Sequence, residues 1–193
     1  MARFLDFKVT LNGVRTPPWR RFLLKGSLSF QQLHRAIQDA CGWEDAHLFG
    51  FEDLEGRPLA WSPMQDPELG DGQGVPAAGR LKLARHFKAA GDAAVYQYDF
   101  GDDWWHRVEL LGTQDLPAKA SRFLLGGGGS FPPEDCGGLD GYRDCLRAAR
   151  NPAKADPELL QWLDGWHPDG FDLAAVQACF DAGRRLPPRW AAR

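Results

Sequence analysis

Cysteine is scarce in this chain and badly placed for two common uses. Cys41, Cys136, Cys145 and Cys179 are widely spaced, and no pair forms a CxxC. The usual structural zinc spacing is therefore missing. No apolar run reaches membrane length and no secretory leader is read. The expectation is a cytoplasmic protein with reduced thiols and no membrane contact. Positive charge is also short, since the formal net charge is −3. Broad nonspecific nucleic-acid binding needs a basic field, so only a local patch is left to that use. Gly126 to Gly129 suggests a phosphate loop, but no Gly-Lys-Ser/Thr follows. The tetraglycine then reads as flexible linkage. No helix-turn-helix pattern with an obvious recognition helix is present.

Aromatic residues are plentiful. Eight tryptophans imply flat surfaces that bind ligands or pack a core. A chain of 193 residues suits one domain. Residues 1–183 are read as that α+β domain, with loop insertions at about 62–79 and 113–133, a helical part at 141–183 and a tail at 184–193.

The densest stretch is Tyr96 to Leu111, YQYDFGDDWWHRVELL. Tyr96, Tyr98 and Phe100 alternate with Val95, Gln97 and Asp99, a strand period. Gly101, Asp102 and Asp103 supply turn chemistry. Trp104, His106, Val108 and Leu110 share the return strand's apolar face, and Trp105, Arg107 and Glu109 the other. Two readings compete for the polar groups. Asp99, Asp102, Asp103 and His106 suit a divalent metal or acid–base site. In the other reading, which hairpin turns favour by their need for Gly and Asp, the aspartates serve the turn and His106 is a hydrogen-bonded core residue. Strict pleating puts Asp99 opposite the tyrosines, and only a bulge would bring it to their side.

Elsewhere, Phe4 to Leu11 and Trp19 to Leu24 read as strands joined through Asn12-Gly13. The Arg20–Arg21 pair reads as solvated strand surface. Ser29 and Gln32 form a capping box for a helix carrying Phe30, Leu33, Ile37, Ala40 and Cys41 on one face, and Gly42 ends it. His34 edges that stripe and reads as a satisfied histidine. Trp43 to Phe51 reads as a turn and third strand, giving a β-grasp-like strand–strand–helix–strand unit. Arg80 to Ala90 reads as a short helix with Arg80, Lys82, Arg85 and Lys88 as a basic patch. Arg184, Arg185, Arg189 and Arg193 form a second. Thr113 to Pro133 reads as loop. Pro132 to Tyr142, PPEDCGGLDGY, presents Glu134, Asp135 and Cys136 on a constrained turn. Helices follow at Tyr142–Arg150, from the Asp156-Pro157 cap to Leu163, and from Asp172 to Phe180. The sum is an α+β fold with a mixed, mainly antiparallel sheet of about five strands and flanking C-terminal helices.

YDFGDDWWH, PPEDCGGLDGY and PPWRRFLL…LHRAIQDACGWEDAHLFGFE together resemble the Ri-plasmid ORF-three-like family, over about Phe7 to Phe180. Its members are often labelled transposon-passenger or TnpR-like. The resemblance implies a compact α+β domain and an association with mobile elements in some members, and it carries no established reaction. A serine resolvase would need an N-terminal catalytic serine motif that this chain does not show. The GWEDAH segment adds His47 to the candidate site.

Three functions remain open. One is a non-catalytic binding or accessory module, with a groove of Trp43, His47, Trp104, Trp105, Cys136 and Tyr142 for a protein or nucleic-acid partner. The second is a metal-dependent hydrolase or nuclease using Asp99, Asp102, Asp103, His106, Glu134 and Asp135, with His47. It requires those side chains to converge. The third is DNA binding through a basic patch. Cys136 as a nucleophile is a further idea that needs a basic neighbour.

Overall fold

A computed structural model describes residues 1–62, 75–117 and 119–184. Its strands are β1 (Ala2–Leu11), β2 (Trp19–Lys25), β3 (Phe49–Glu52), β4 (Pro58–Trp61), β5 (Ala93–Tyr98), β6 (Trp104–Leu116) and β7 (Arg122–Gly128). The helices are α1 (Phe30–Cys41), α2 (Leu83–His86), α3 (Gly138–Arg150), α4 (Pro157–Leu163) and α5 (Leu173–Asp181), with a 3-10 turn at Pro152–Lys154. The strands form one sheet in the order β4-β3-β5-β6-β1-β2-β7, and every strand pair in it is antiparallel. The strand–strand–helix–strand run is present, with β5 and β6 inserted between β1 and β3.

Alternation decides which face of the sheet is covered. Phe7, Val9, Phe22, Leu24, Tyr96, Tyr98, Trp104, His106, Val108 and Leu110 are all buried. Phe30, Leu33, Ile37 and Ala40 of α1 join the same contiguous core. The capping box fixes where α1 starts, with Gln32 Oε1 accepting from the Ser29 N–H at 3.0 Å. Asp156 and Asp172 cap α4 and α5 by accepting from Glu158 N and Ala175 N.

Several expectations are corrected. Among the described residues the sheet has seven strands in place of about five, the additions being β4 and β7. β6 runs on to Leu116 and β7 spans Arg122–Gly128, so strand replaces about half of the supposed 113–133 loop. The tetraglycine is not a linker, since Gly126 to Gly128 are strand residues paired with Trp19 to Arg21. Their bareness makes room. A Cβ on Gly128 would lie 2.8 Å from Trp19 Nε1, and one on Gly127 would lie 2.6 Å from the Phe171 ring. The turn and third strand expected over Trp43 to Phe51 divide at Phe49, where β3 begins. The helix expected over Arg80–Ala90 shrinks to the single turn of α2.

Arg20 is not solvated. It is 3% exposed, while Arg21 faces solvent and pairs with Asp6. Arg20 shares its parity with Phe22 and Leu24, so it points into the core. There it donates to the carbonyls of Ala40, Trp19 and Gly129 at 2.7–2.9 Å. Its guanidinium lies 3.8 Å from the Phe171 ring centre and 4.9 Å from that of Phe131. Burial lowers its pKa to about 10, and it stays charged at neutral pH. The Ala40 carbonyl belongs to the negative end of α1, which suits a cation. Among the described residues, no helix is long and apolar enough to cross a membrane. The tail arginines Arg185, Arg189 and Arg193, and most of the 62–79 loop, lie outside the described residues.

Candidate metal centre at the corner of the hairpin

Three chain segments meet beyond the C-terminal end of α1. The first is the 43–48 loop, tied to α1 by Gln38, whose Oε1 accepts from Asp45 N at 2.8 Å. The second is the β5–β6 turn. The third is the Pro132–Gly137 loop. Its backbone is held by aromatic donors. The Tyr142 hydroxyl reaches Ser130 O at 3.4 Å, Trp166 Nε1 donates to Phe131 O at 3.0 Å, and Trp43 Nε1 donates to Pro132 O at 2.9 Å. Asp102 Oδ2 closes the far end by accepting from Gly137 N at 3.0 Å. A loop so pinned presents Glu134 and Asp135 in fixed positions.

Asp99 reaches the corner because the backbone breaks the pleat. Its φ is +52°, in the left-handed region. Aspartate tolerates that conformation better than most side chains. Asp99 thereby turns inward and is 8% exposed, while Phe100 is pushed out to 39%. The aspartate accepts from Gly101 N at 2.9 Å with Oδ1, leaving Oδ2 toward His47.

His47 is the hub. Its Nε2 lies 2.9 Å from Asp135 Oδ1, 3.6 Å from Asp99 Oδ2 and 3.7 Å from Glu134 Oε1. An ionised Asp135 only accepts, so Nε2 carries the proton in this arrangement. One donor atom each from His47, Asp99 and Asp135 falls within 4.8 Å of the others. Ligands on opposite sides of an ion with bonds of about 2.1 Å are about 4.2 Å apart, so a small closure of these side chains would enclose one. Asp135 is mostly exposed and His47 about a third exposed, which leaves an open side for water.

Glu134 supports the corner from beneath. Its Oε1 accepts from the Tyr98 hydroxyl at 2.6 Å and its Oε2 from Glu44 N at 2.8 Å. Burial raises its pKa, and those two donors oppose the rise. Tyr98 is likewise raised, first by burial and then by Glu134. Its oxygen also accepts from Ala46 N at 3.1 Å, linking the hairpin to the histidine's own loop. A small enclosed space of about 30 Å³ lies behind Glu134, lined in part by Cys41, Phe131 and Trp162.

The structure thus gathers His47, Asp99, Glu134 and Asp135 and leaves the other candidates elsewhere. Asp102 braces the loop. Asp103 accepts from Gln97 Nε2 at 2.6 Å. His106 is fully buried, with Nδ1 on Tyr96 O at 3.2 Å, and burial lowers its pKa to about 4. Trp43, Trp104 and Tyr142 are buried and form the floor of the corner instead of an open groove, while Trp105 is half-buried on the opposite face. Cys136 is half-buried beside Cys145. Arg80, Lys82, Arg85 and Lys88 are exposed around α2. They adjoin the N-terminal end of α1, where Phe30 N donates to Leu81 O. α1 is 12 residues long, so the patch and the corner are separated by roughly 18 Å of helix.

Sequence reasoning missed Tyr98 and the second polar layer. His34, fully buried, touches the Tyr96 hydroxyl at 2.7 Å and Asp45 Oδ1 at 2.6 Å. Gln38 Nε2 donates to the same hydroxyl at 3.1 Å. The spacing of His34 and Gln38, one helical turn apart on the face toward the sheet, is the signal that was available.

Fold and site together define an α+β protein with an antiparallel sheet and a histidine–carboxylate corner at one end of its central hairpin. The chain belongs to the plasmid pRiA4b ORF-3-like family, whose model matches residues 3–175. It is similar to the "Uncharacterized protein y4hQ" of Sinorhizobium fredii, 32% identical over 178 residues, covering 91% of this chain and 87% of that one. Among solved structures it is similar to MM3350 from Methanosarcina mazei Go1, described as a protein of unknown function. The TM-score is 0.76 at 27% identity, covering 90% of this chain and 96% of that one.

Proposed function

We propose that the protein binds a divalent cation through His47, Asp99 and Asp135, and that the ion activates water for hydrolysis. The observation that carries this reading is the convergence of one imidazole and two carboxylate donors within 4.8 Å. Several carboxylates around one histidine leave excess negative charge, which a cation relieves. The mixed nitrogen and oxygen set suits Zn²⁺ or Mn²⁺ better than Mg²⁺, which prefers oxygen alone. Bound water on the open side would be acidified by the ion, a route to a nucleophile at neutral pH. Glu134, held by Tyr98 and Glu44, positions the corner from the layer below. To coordinate through Nε2, His47 would carry its ring proton on Nδ1, so the histidine changes tautomer when the ion binds.

Calorimetry with Mn²⁺, Zn²⁺ and Mg²⁺ tests the reading. Binding is expected in the wild type and its loss in His47→Ala. Absence of heat at millimolar metal would leave the corner as a structural hydrogen-bond cluster.

An accessory role with a nucleic-acid partner, as for a mobile-element protein, is the second reading. What favours it is the exposed run Arg80, Lys82, Arg85 and Lys88. This patch lies at the other end of α1 from the corner, so it would hold nucleic acid without feeding it to the ion. Its binding would fall steeply with salt.

A further inference from the structure

One face of the sheet is used by neither reading. Along β3, β5 and β6 the buried Phe49, Phe51, Tyr96, Tyr98, Trp104 and His106 point into the core. Alternation turns the residues between them, Gly50, Gln97 and Trp105, to the other side. They are register partners, and Trp61 of β4 completes their row. Among the described residues, each helix contributes buried side chains to the core, whereas Trp61 and Trp105 stand apart from that cluster. Both tryptophans are half-buried. Trp61 spreads over Gly50, where a Cβ would lie 3.2 Å from its six-membered ring. Exposed Phe100 braces it edge-on, with ring centres 6.0 Å apart. An indole laid on bare backbone keeps its other face free. Three strand spacings separate Trp61 from Trp105, roughly 14 Å. Gly50 and the Gln97 amide fill the interval.

The polar groups around this row decide between ligands. Gln97 Nε2 donates to Asp103 Oδ1 at 2.6 Å, which leaves Oε1 to accept from outside. Glu52 and Arg107 flank Val95 in the next row. Arg107 Nε lies 3.6 Å from Glu109 Oε2, and both side chains are exposed by a third or more. Three carboxylates (Glu52, Asp103 and Glu109) thus surround one guanidinium. A nucleic-acid strand would bring phosphates, which only accept hydrogen bonds, against that negative balance. A sugar hydroxyl both donates and accepts, so carboxylate, amide and guanidinium all serve it. The C–H face of a pyranose ring is apolar and meets the negative face of an indole. We propose that this outer face binds a neutral polysaccharide, with pyranose rings stacked on Trp61 and Trp105. Its hydroxyls bond to Gln97, Arg107 and Glu109. Trp19 lies two strands beyond, but Lys8 Nζ sits 5.4 Å over its ring, so it is not one of the platforms. This binding needs no ion and is independent of the histidine–carboxylate corner.

Affinity electrophoresis in native gels tests this, with EDTA present to remove any ion. The gels contain hydroxyethylcellulose, xyloglucan, galactomannan or amylose, each soluble and uncharged. At least one of them is expected to retard the wild-type protein. Calorimetry with that polysaccharide should give the same affinity at low and high salt, because no ion pair forms with the ligand. Trp105→Ala should lower the affinity roughly 10-fold, the order of one lost ring contact, while Trp105→Tyr retains most of it. Trp61→Ala decides in the same way if Trp105→Ala does not fold. No retardation by any of the polysaccharides, equal affinity in Trp105→Ala, or binding of oligothymidylate in their place would overturn the proposal.

Discussion

His47 and His106 flank the same tryptophan-lined end of the sheet and have opposite surroundings. His106 is sealed among Trp43, Tyr96 and Phe131, with ring centres 5.2–5.9 Å away. One of its nitrogens meets the Tyr96 carbonyl, and Nε2 has no hydrogen-bond partner among the described residues. His47 sits a short distance away at the surface with three carboxylates facing one nitrogen. Imidazole and carboxylate chemistry is present in both layers of the corner, but only the outer layer combines convergence with access to water. The inner layer (His34, Gln38, Tyr96 and Asp45) spends its polar atoms on its own hydrogen bonds. Reactive residue types become a candidate centre when their free lone pairs point at one place that solvent reaches.

That contrast makes distinct demands on stability and on ion binding. The largest effect should come from Trp43→Ala, which empties a buried site and frees the Pro132 carbonyl. It is expected to cost about 3–5 kcal/mol in denaturant unfolding and to loosen the metal site as well. A loss below about 1 kcal/mol would mean that the loop is held by other contacts.

The sealed histidine should also show itself through pH. The folded pKa of His106 lies near 4, below the ordinary value of 6.5, because burial disfavours the charged ring. The unfolded chain therefore takes the proton first. Stability from this residue is complete above about pH 6.5 and falls as pH drops toward about 4. The total is on the order of 3 kcal/mol at 1.36 kcal/mol per unit. His106→Phe should flatten that limb of the stability curve, and an unchanged slope would place the acid sensitivity elsewhere.

Tyr98→Phe should act on both layers at once. It removes the donor to Glu134 and the acceptor for Ala46 N. Cation affinity is expected to fall roughly 10–100-fold, as for other groups that orient a metal's ligands. Isothermal titration would show this, and an unaltered affinity would separate Glu134 from the site. The smallest effect belongs to the far end of α1. Arg85→Glu with Lys88→Glu should leave stability within about 0.5 kcal/mol and cation binding intact. Any retention of DNA at low salt should disappear in gel shifts, and retention that survives the charge reversal would dismiss the patch.

Much of the frame could be read from the residues. Alternation assigned both faces of the β5–β6 hairpin, and the Ser29, Asp156 and Asp172 caps marked where helices begin. What escaped depended on conformation or on distant partners. Asp99 enters the corner through one left-handed residue, which no periodicity encodes. Gly126 to Gly128 looked like linkage because glycine usually marks loops, whereas here it clears space for Trp19 and Phe171. Arg20 looked solvated because its acceptors, the Ala40 and Gly129 carbonyls, are far away in sequence. The same distance hid Tyr98, whose partner Glu134 lies 36 residues on.

The most direct test is titration of Mn²⁺ and Zn²⁺ into wild type and Asp99→Asn, with unfolding measured on both. Asparagine accepts the left-handed turn and can still receive the Gly101 N–H, so the fold should hold. The account predicts one site in the wild type, a loss of affinity well beyond 10-fold in Asp99→Asn, and unchanged stability without metal. Equal binding by both proteins, or none by the wild type at millimolar metal, would contradict it.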